Sequence, residues 1–134
     1  MTATTQDRNT PHRGAELLAV PVGAGVVIPA GTMVAINATG FAVPGATSTT
    51  LAYLGMADAA ADNRDGTDGA IVVTVRRGRQ FKWGNHSGDP VTQAGLGRNC
   101  YIVDNQTVAA SHGTNTRSVA GLVLGIDADG VWVI

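Results

Sequence analysis

The chain has few charged side chains, and those that usually cover the solvent face of helices are almost missing. Only 14% of the 134 residues are charged, with a single lysine, Lys82, and a single glutamate, Glu16, whereas glycine occurs 18 times. Lys and Glu normally occupy the exposed positions of helices. This composition argues against a mainly helical protein and predicts an all-β fold with an unusually neutral surface, which favours contacts with other proteins.

Cysteine and long apolar runs are also scarce. The single cysteine, Cys100, cannot form a disulfide within the chain, so the predicted fold does not depend on an oxidising compartment. The first 14 residues, MTATTQDRNTPHRG, contain no apolar core of signal-peptide length, and no later segment approaches the roughly 20 apolar residues that span a bilayer. We therefore expect synthesis in the cytoplasm and no membrane partner.

The formal net charge is −1 and the pI is about 6.2, so the chain as a whole has no electrostatic attraction for a polyanion. One segment departs from this balance, because residues 76–83 read RRGRQFKW. Three hypotheses remain open for it: a hairpin with aromatic rings in the core and a solvated basic tip, a contact between subunits, or a nucleic-acid site. As a hairpin it would turn at Gly78, with Phe81 and Trp83 on one face and Lys82 on the other.

Two parts of different character follow one another along the chain. Residues 1–13 are polar and without periodicity, which predicts an extended N-terminal arm. Residues 14–134 have short apolar runs interrupted by Gly and Pro, which predicts a single β-rich domain, a β-barrel or a jelly-roll-like sandwich. Residues 30–43 and 120–133 share six identities and predict two hairpins, related by repetition or by convergence. The segment MADAAAD, residues 56–62, is the one place where the sequence allows a helical turn or two.

No constellation of residues predicts catalysis or metal binding. The aspartates at 58, 62, 65 and 68 do not match the spacing of a calcium loop and favour a solvated turn, with a weak calcium site as the alternative. The histidines lie far apart, Cys100 reads as a core or interface residue, and no nucleophile elbow or phosphate loop occurs. We expect neither an enzyme nor a cofactor, metal or small-molecule substrate.

The order of segments resembles a known family. It combines the polar arm with GVVIPAGTMVAI at residues 25–36, GRQFKW at residues 78–83, and AGLVLGIDADGVWV at residues 120–133. Together these are similar to the capsid cement, or head decoration, proteins of tailed bacteriophages and prophages. The resemblance extends over most of residues 15–134.

The resemblance implies a virion protein on the outer capsid surface, made in the cytoplasm of the host bacterium. Its implied partners are the major capsid protein, whose subunits it would bridge, and itself, as a homodimer or homotrimer. Nucleic acid is not an implied partner. Candidate contacts with the capsid or a second subunit are Thr2, Thr4, Thr5, Arg8, Arg13, Arg76, Arg77, Arg79, Lys82 and Trp83.

Two other functions stay open. The first is a small β-barrel that binds nucleic acid through the basic and aromatic residues of residues 76–83. The second is a head-fibre module that binds glycans or the host surface.

Overall fold

Residues 2–134 of the computed structural model form twelve β-strands and one short 3-10 turn, Gln93–Gly95. Among these residues no helix is long and apolar enough to cross a membrane. The all-β prediction is therefore confirmed. The strands are β1 Leu17–Pro21, β2 Val27–Ile28, β3 Met33–Ile36, β4 Ala42–Pro44, β5 Ala52–Ala57, β6 Ala61–Asp62, β7 Val72–Arg76, β8 Phe81–Asn85, β9 Asn99–Ile102, β10 Thr107–Ala109, β11 Val119–Asp127 and β12 Gly130–Val133.

The first half of the chain contributes a five-stranded antiparallel sheet, in the order β1-β7-β5-β3-β4, called here the first sheet. Strands β1 and β4 are the two edges of this sheet. An isolated parallel bridge joins Val22, just after β1, to Ala42 at the start of β4. The short ladder of β2 and β6 lies beside it. Asn63, only 3% exposed, joins these parts because its amide nitrogen donates to the carbonyls of Val22, Gly23 and Thr67.

The second half closes into a five-stranded barrel, in the order β10-β8-β12-β11-β9. All of its neighbours are antiparallel except β8 and β10, which run parallel. Alternation directs one set of side chains inward, for example Trp83, Ile102 and Val131, each of which is at most 5% exposed. The predicted barrel or sandwich architecture is confirmed, since a barrel packs against a sheet.

Strand β3 explains how the two halves are held together. Its residues Met33, Val34 and Ala35 are all fully buried. Met33 and Ala35 belong to the cluster that fills the barrel side, whereas Val34 belongs to the cluster on the opposite face of the first sheet. A strand covered on both faces reads as a continuous apolar run, which is how MVAI appears in the sequence.

Both hairpins predicted at residues 30–43 and 120–133 exist, but they are not equivalent. In the first, Ile36 pairs with Ala42 across a five-residue loop, in which Gly40 has a φ of 92°. In the second, Asp127 pairs with Gly130 across a two-residue turn. The different loop lengths favour convergence on good hairpin sequence rather than repetition.

Two other local predictions were wrong. Residues 56–62 contain the end of β5 and all of β6 rather than a helical turn, because β-sheet pairing outweighs the helix preference of the alanines. The predicted hairpin over residues 76–83 does not form either. Strand β7 pairs with β1 and β5 in the first sheet, whereas β8 pairs with β12 and β10 in the barrel. Gly78 does turn, with a φ of 73°, but the turn connects two sheets.

Residues 2–14 contain no strand or helix, and every one of them is exposed. Their hydrogen bonds are local, between Thr4 and Gln6. Met1, which belongs to the predicted arm, lies outside the described residues.

Candidate functional site

The connection between the two sheets, residues 77–80, brings the basic segment to the point where the N-terminal residues join the body. Strand β1 begins at Leu17, and the backbone carbonyl of Glu16 just before it accepts a hydrogen bond from the backbone N–H of Arg77 at 2.8 Å. The end of the N-terminal segment and residues 77–80 are therefore neighbours, although more than 60 residues separate them in sequence.

The four basic residues of this segment divide into two groups. Arg76 is paired, because its Nε lies 3.0 Å from Asp58 Oδ1. Lys82 is paired as well, with its Nζ 2.9 Å from Asp129 Oδ2 and 5.6 Å from the centre of the Trp132 ring. The hydrogen bond from Lys82 raises the pKa of the lysine and lowers the pKa of Asp129. These two cations are already neutralised within the chain.

Arg77 and Arg79, on either side of Gly78, are exposed and have no ion-pair partner within 4.0 Å among residues 2–134. Arg13, at the base of the predicted arm, is in the same state. A groove of about 410 Å³ lies between Arg13 and Arg77, called here the arm-root groove. Its lining residues are Arg13, Gly14, Ala15, Leu18, Arg77 and Gly78.

A second groove, of about 250 Å³, adjoins the first and shares Arg77 and Gly78 with it. We call it the inter-sheet groove. Apart from its two arginines its lining is mostly apolar or aromatic, and consists of Tyr53, Leu54, Arg77, Gly78, Arg79, Phe81, Ala120 and Ile134. The two grooves form the candidate binding surface of the chain.

The two aromatic rings of the segment point inward, as alternation predicted. Trp83 is 5% exposed, lies in the barrel core, and donates from Nε1 to the Tyr53 hydroxyl at 3.1 Å. Phe81 packs against it with a centroid separation of 6.0 Å. Trp83 thus fills the core, and little of its ring is accessible to a partner or to a nucleic-acid base.

The other predicted contact residues, Thr2, Thr4, Thr5 and Arg8, are exposed in the N-terminal segment. The structure brings none of them into the two grooves, whose contribution from that segment comes from Arg13 and Gly14.

An exposed apolar surface on the barrel was not predicted. Val119, Leu122, Leu124 and Ile134 are each between 43% and 49% exposed, and we call them the outer apolar strip. Leu122 and Ile134 exchange both backbone hydrogen bonds, so their side chains are neighbours. The run VAGLVLG was the sequence signal for this surface. It did not predict which side chains are exposed, because β-bulges on both sides of Leu122 interrupt the alternation of inward and outward residues.

The loop at residues 111–117 is held in shape by hydrogen bonds to Asp89. Asp89 accepts hydrogen bonds from the backbone and hydroxyl of Ser111 and from Arg117, and the Ser111 hydroxyl contributes most to lowering the pKa of Asp89. Thr114 and Asn115 both have a φ near 60°, an uncommon conformation for non-glycine residues. These contacts hold the shape of the loop and do not join either groove.

The residues considered for chemistry are dispersed. Within residues 2–134 no group of three or more His, Cys, Asp or Glu side chains is placed to hold a metal ion. Cys100 is fully buried, and burial raises the pKa of its thiol to about 11. A thiol in this state is a poor nucleophile at neutral pH.

Comparison with models of protein families, with curated proteins and with solved structures found no match to this chain.

Proposed function

We propose that this chain is a structural virion protein that decorates the outer surface of a tailed-phage capsid and cements it by bridging major capsid protein subunits. The observation that carries the proposal is the N-terminal segment. Residues 2–14 precede the edge strand β1, and every one of them is exposed. They form no hydrogen bond to the remainder of the described chain. Such a segment is suited to lie on another protein, and the resemblance of residues 15–134 to the cement proteins supports a capsid subunit as that partner.

The composition of the segment supports pairing through its backbone. A strand added to the edge of a foreign sheet gains affinity from main-chain hydrogen bonds, so the added segment needs no particular side chains. Thr2, Thr4 and Thr5 are β-branched and favour the extended conformation. Few charges have to be desolvated when this segment is covered, since residues 2–14 contain only Asp7, Arg8 and Arg13 besides His12.

The outer apolar strip supports self-association, the second part of the proposal. Its four side chains carry no charge; Val119, Leu122 and Leu124 lie on β11, and Ile134 follows directly after β12. Charge is depleted in the centre of protein interfaces in the same way. A homo-oligomer then presents several arms at once, and binding of one arm raises the effective concentration of the others. Weak individual contacts add up to stable cementing by this route.

Expanded capsids that lack the protein provide the direct test. Purified full-length chain is titrated onto them, and bound protein is measured after sedimentation. We expect saturable binding at a fixed number of copies per capsid subunit, together with a higher capsid melting temperature, because ligands that bind only the assembled state stabilise it. Binding that never saturates, or saturates without any change in melting temperature, would contradict cementing.

A further inference from the structure

Three unpaired arginines surround the two grooves, whereas most other cations of the body are paired. Arg64, Arg76, Lys82 and Arg117 each have a carboxylate within 3.0 Å. Arg13, Arg77 and Arg79 have none among residues 2–134, and all three line the arm-root groove or the inter-sheet groove. Arginine is suited to planar, two-pronged recognition of carboxylate or phosphate.

The walls between these arginines are apolar. Leu18 lies in the arm-root groove, and Leu54 and Phe81 lie in the inter-sheet groove. A small free anion would leave these side chains uncovered. The lining therefore complements an extended peptide in which acidic and apolar side chains alternate, so that the two kinds lie on opposite faces. Its apolar face covers the walls, and the arginines reach the carboxylates on its other face.

Nucleic acid fits this lining less well than a peptide. A single-strand site needs several exposed rings on which bases stack, but Trp83 is 5% exposed, and of the two rings of this segment only the half-buried Phe81 reaches a groove. It also needs many cations along a backbone, and Arg76 and Lys82 are already bound to Asp58 and Asp129. What remains is a short cationic rim around an apolar floor.

We propose that the arm-root and inter-sheet grooves together bind an extended peptide segment in which carboxylates alternate with apolar side chains. Arg77 and Arg79 bind two of its carboxylates, and Arg13 binds a third where the arm begins. Its apolar side chains cover Leu18, Phe81 and their neighbours. The proposed function is needed only to say that the segment belongs to a capsid subunit, since the chemistry of the grooves is independent of it.

The test uses the isotopically labelled full chain without any capsid. A synthetic peptide of about eight residues, alternating Asp or Glu with Val or Leu, is titrated while backbone amide signals are followed by NMR. We expect saturable shifts centred on Gly14, Gly78 and their neighbours. A second peptide with Asn and Gln in place of Asp and Glu should bind at least about tenfold more weakly, because charge-assisted hydrogen bonds are roughly twice as strong as neutral ones.

Two double variants of equal charge change localise the site. In the test variant, Arg77→Gln is combined with Arg79→Gln, and we expect the dissociation constant to rise at least about tenfold. In the matched control, Arg64→Gln is combined with Arg98→Gln, both exposed and outside the grooves, and we expect less than about a twofold change. Unchanged amide spectra away from the substitutions confirm that each variant is folded.

Three outcomes would overturn the proposal. The first is equal weakening in both double variants, which indicates attraction by overall charge only. The second is equal binding of the acidic and amide peptides. The third is tighter binding of an oligothymidylate of similar length, which indicates nucleic acid. Since no capsid is present, a negative result here leaves the capsid titration to be judged separately, and a negative capsid titration leaves the peptide result standing.

Discussion

The hydroxyl of Tyr53 is the acceptor for Trp83 Nε1 and lies where the first sheet meets the barrel. Burial raises the pKa of Tyr53 to about 12, although the hydrogen bond from Trp83 acts in the opposite direction. The tyrosine of the unfolded chain ionises near pH 10. Between pH 10 and pH 12 the tyrosine therefore loses its proton in the unfolded state before it does so in the folded state. The contribution of Tyr53 to the free energy of unfolding falls as the pH rises through this range.

The substitution Tyr53→Phe tests this linkage. At pH 7 we expect it to lower the free energy of unfolding by about 1 kcal/mol, because Trp83 loses its acceptor. From pH 10 to pH 12 the wild-type protein should lose about 2 kcal/mol more than the variant, since one pKa unit corresponds to about 1.4 kcal/mol. Urea unfolding at pH 7, 10, 11 and 12 measures both effects. Parallel stability curves for the two proteins over this range would contradict the assignment.

Single residues also show how far sequence reasoning reaches. Alternation correctly placed Phe81 and Trp83 on the inner face and Lys82 on the outer one, because the period of a strand is a local property. Alternation carries no information about which arginine meets a carboxylate. Asp58, the partner of Arg76, lies 18 residues away and Asp129, the partner of Lys82, lies 47 residues away. Which cations are paired and which remain unpaired beside the grooves thus depends on the tertiary fold.

Among the elements, the N-terminal segment and the body have separate roles in the proposed function. Deleting residues 2–12 should leave the melting temperature of the isolated protein within about 2 °C of the wild-type value, because these residues are exposed and hydrogen-bond only among themselves. The deletion keeps Arg13, so it leaves the arm-root groove intact. Binding to expanded capsids should weaken at least about tenfold.

A scrambled version of residues 2–12 is the matched control for this deletion. Pairing through the backbone tolerates scrambling, so the scrambled chain should retain most of the binding that the deletion removes. Calorimetry of the isolated protein and the capsid titration supply the two measurements. Equal capsid binding by the wild-type and deleted chains would refute the role of the arm.

Strand pairing explains where sequence prediction failed at the level of elements. The turn at Gly78 was found because a positive φ favours glycine, yet the strands on either side of it belong to different sheets. A turn signal fixes a change of direction and leaves the partners of each strand open. Those partners come from the distant strands β1, β5, β10 and β12, chosen by which apolar faces can be buried together.

At the scale of the whole molecule, the outer apolar strip makes a prediction about association. We expect the wild-type protein to be a dimer or trimer by light scattering at micromolar concentration. Combining Leu122→Lys with Leu124→Lys should yield folded monomers, because two charges would have to be desolvated in the interface.

The chain offers a matched control for this prediction. Leu17 and Val72 are 48% and 57% exposed on the first sheet, so Leu17→Lys combined with Val72→Lys makes the same chemical change on another surface. This variant should keep the wild-type mass. A monomeric wild-type protein, or dissociation caused by both pairs of substitutions, would contradict the assigned face.

The ladder between β1 and β7 has a mechanical consequence for a protein anchored by its N-terminal segment. Five residue pairs join these strands, and the ladder continues at Glu16, which accepts from Arg77. Leu17, where β1 begins, pairs with Arg76, where β7 ends, so a pull on the N-terminal segment acts at the same end of this antiparallel ladder as the connection to the barrel. The hydrogen bonds then open one by one, starting between Glu16 and Arg77, instead of resisting together in shear. Because residues 77–80 leave for the barrel at that same end, tension peels β1 from the edge of the first sheet before it loads the second half of the molecule.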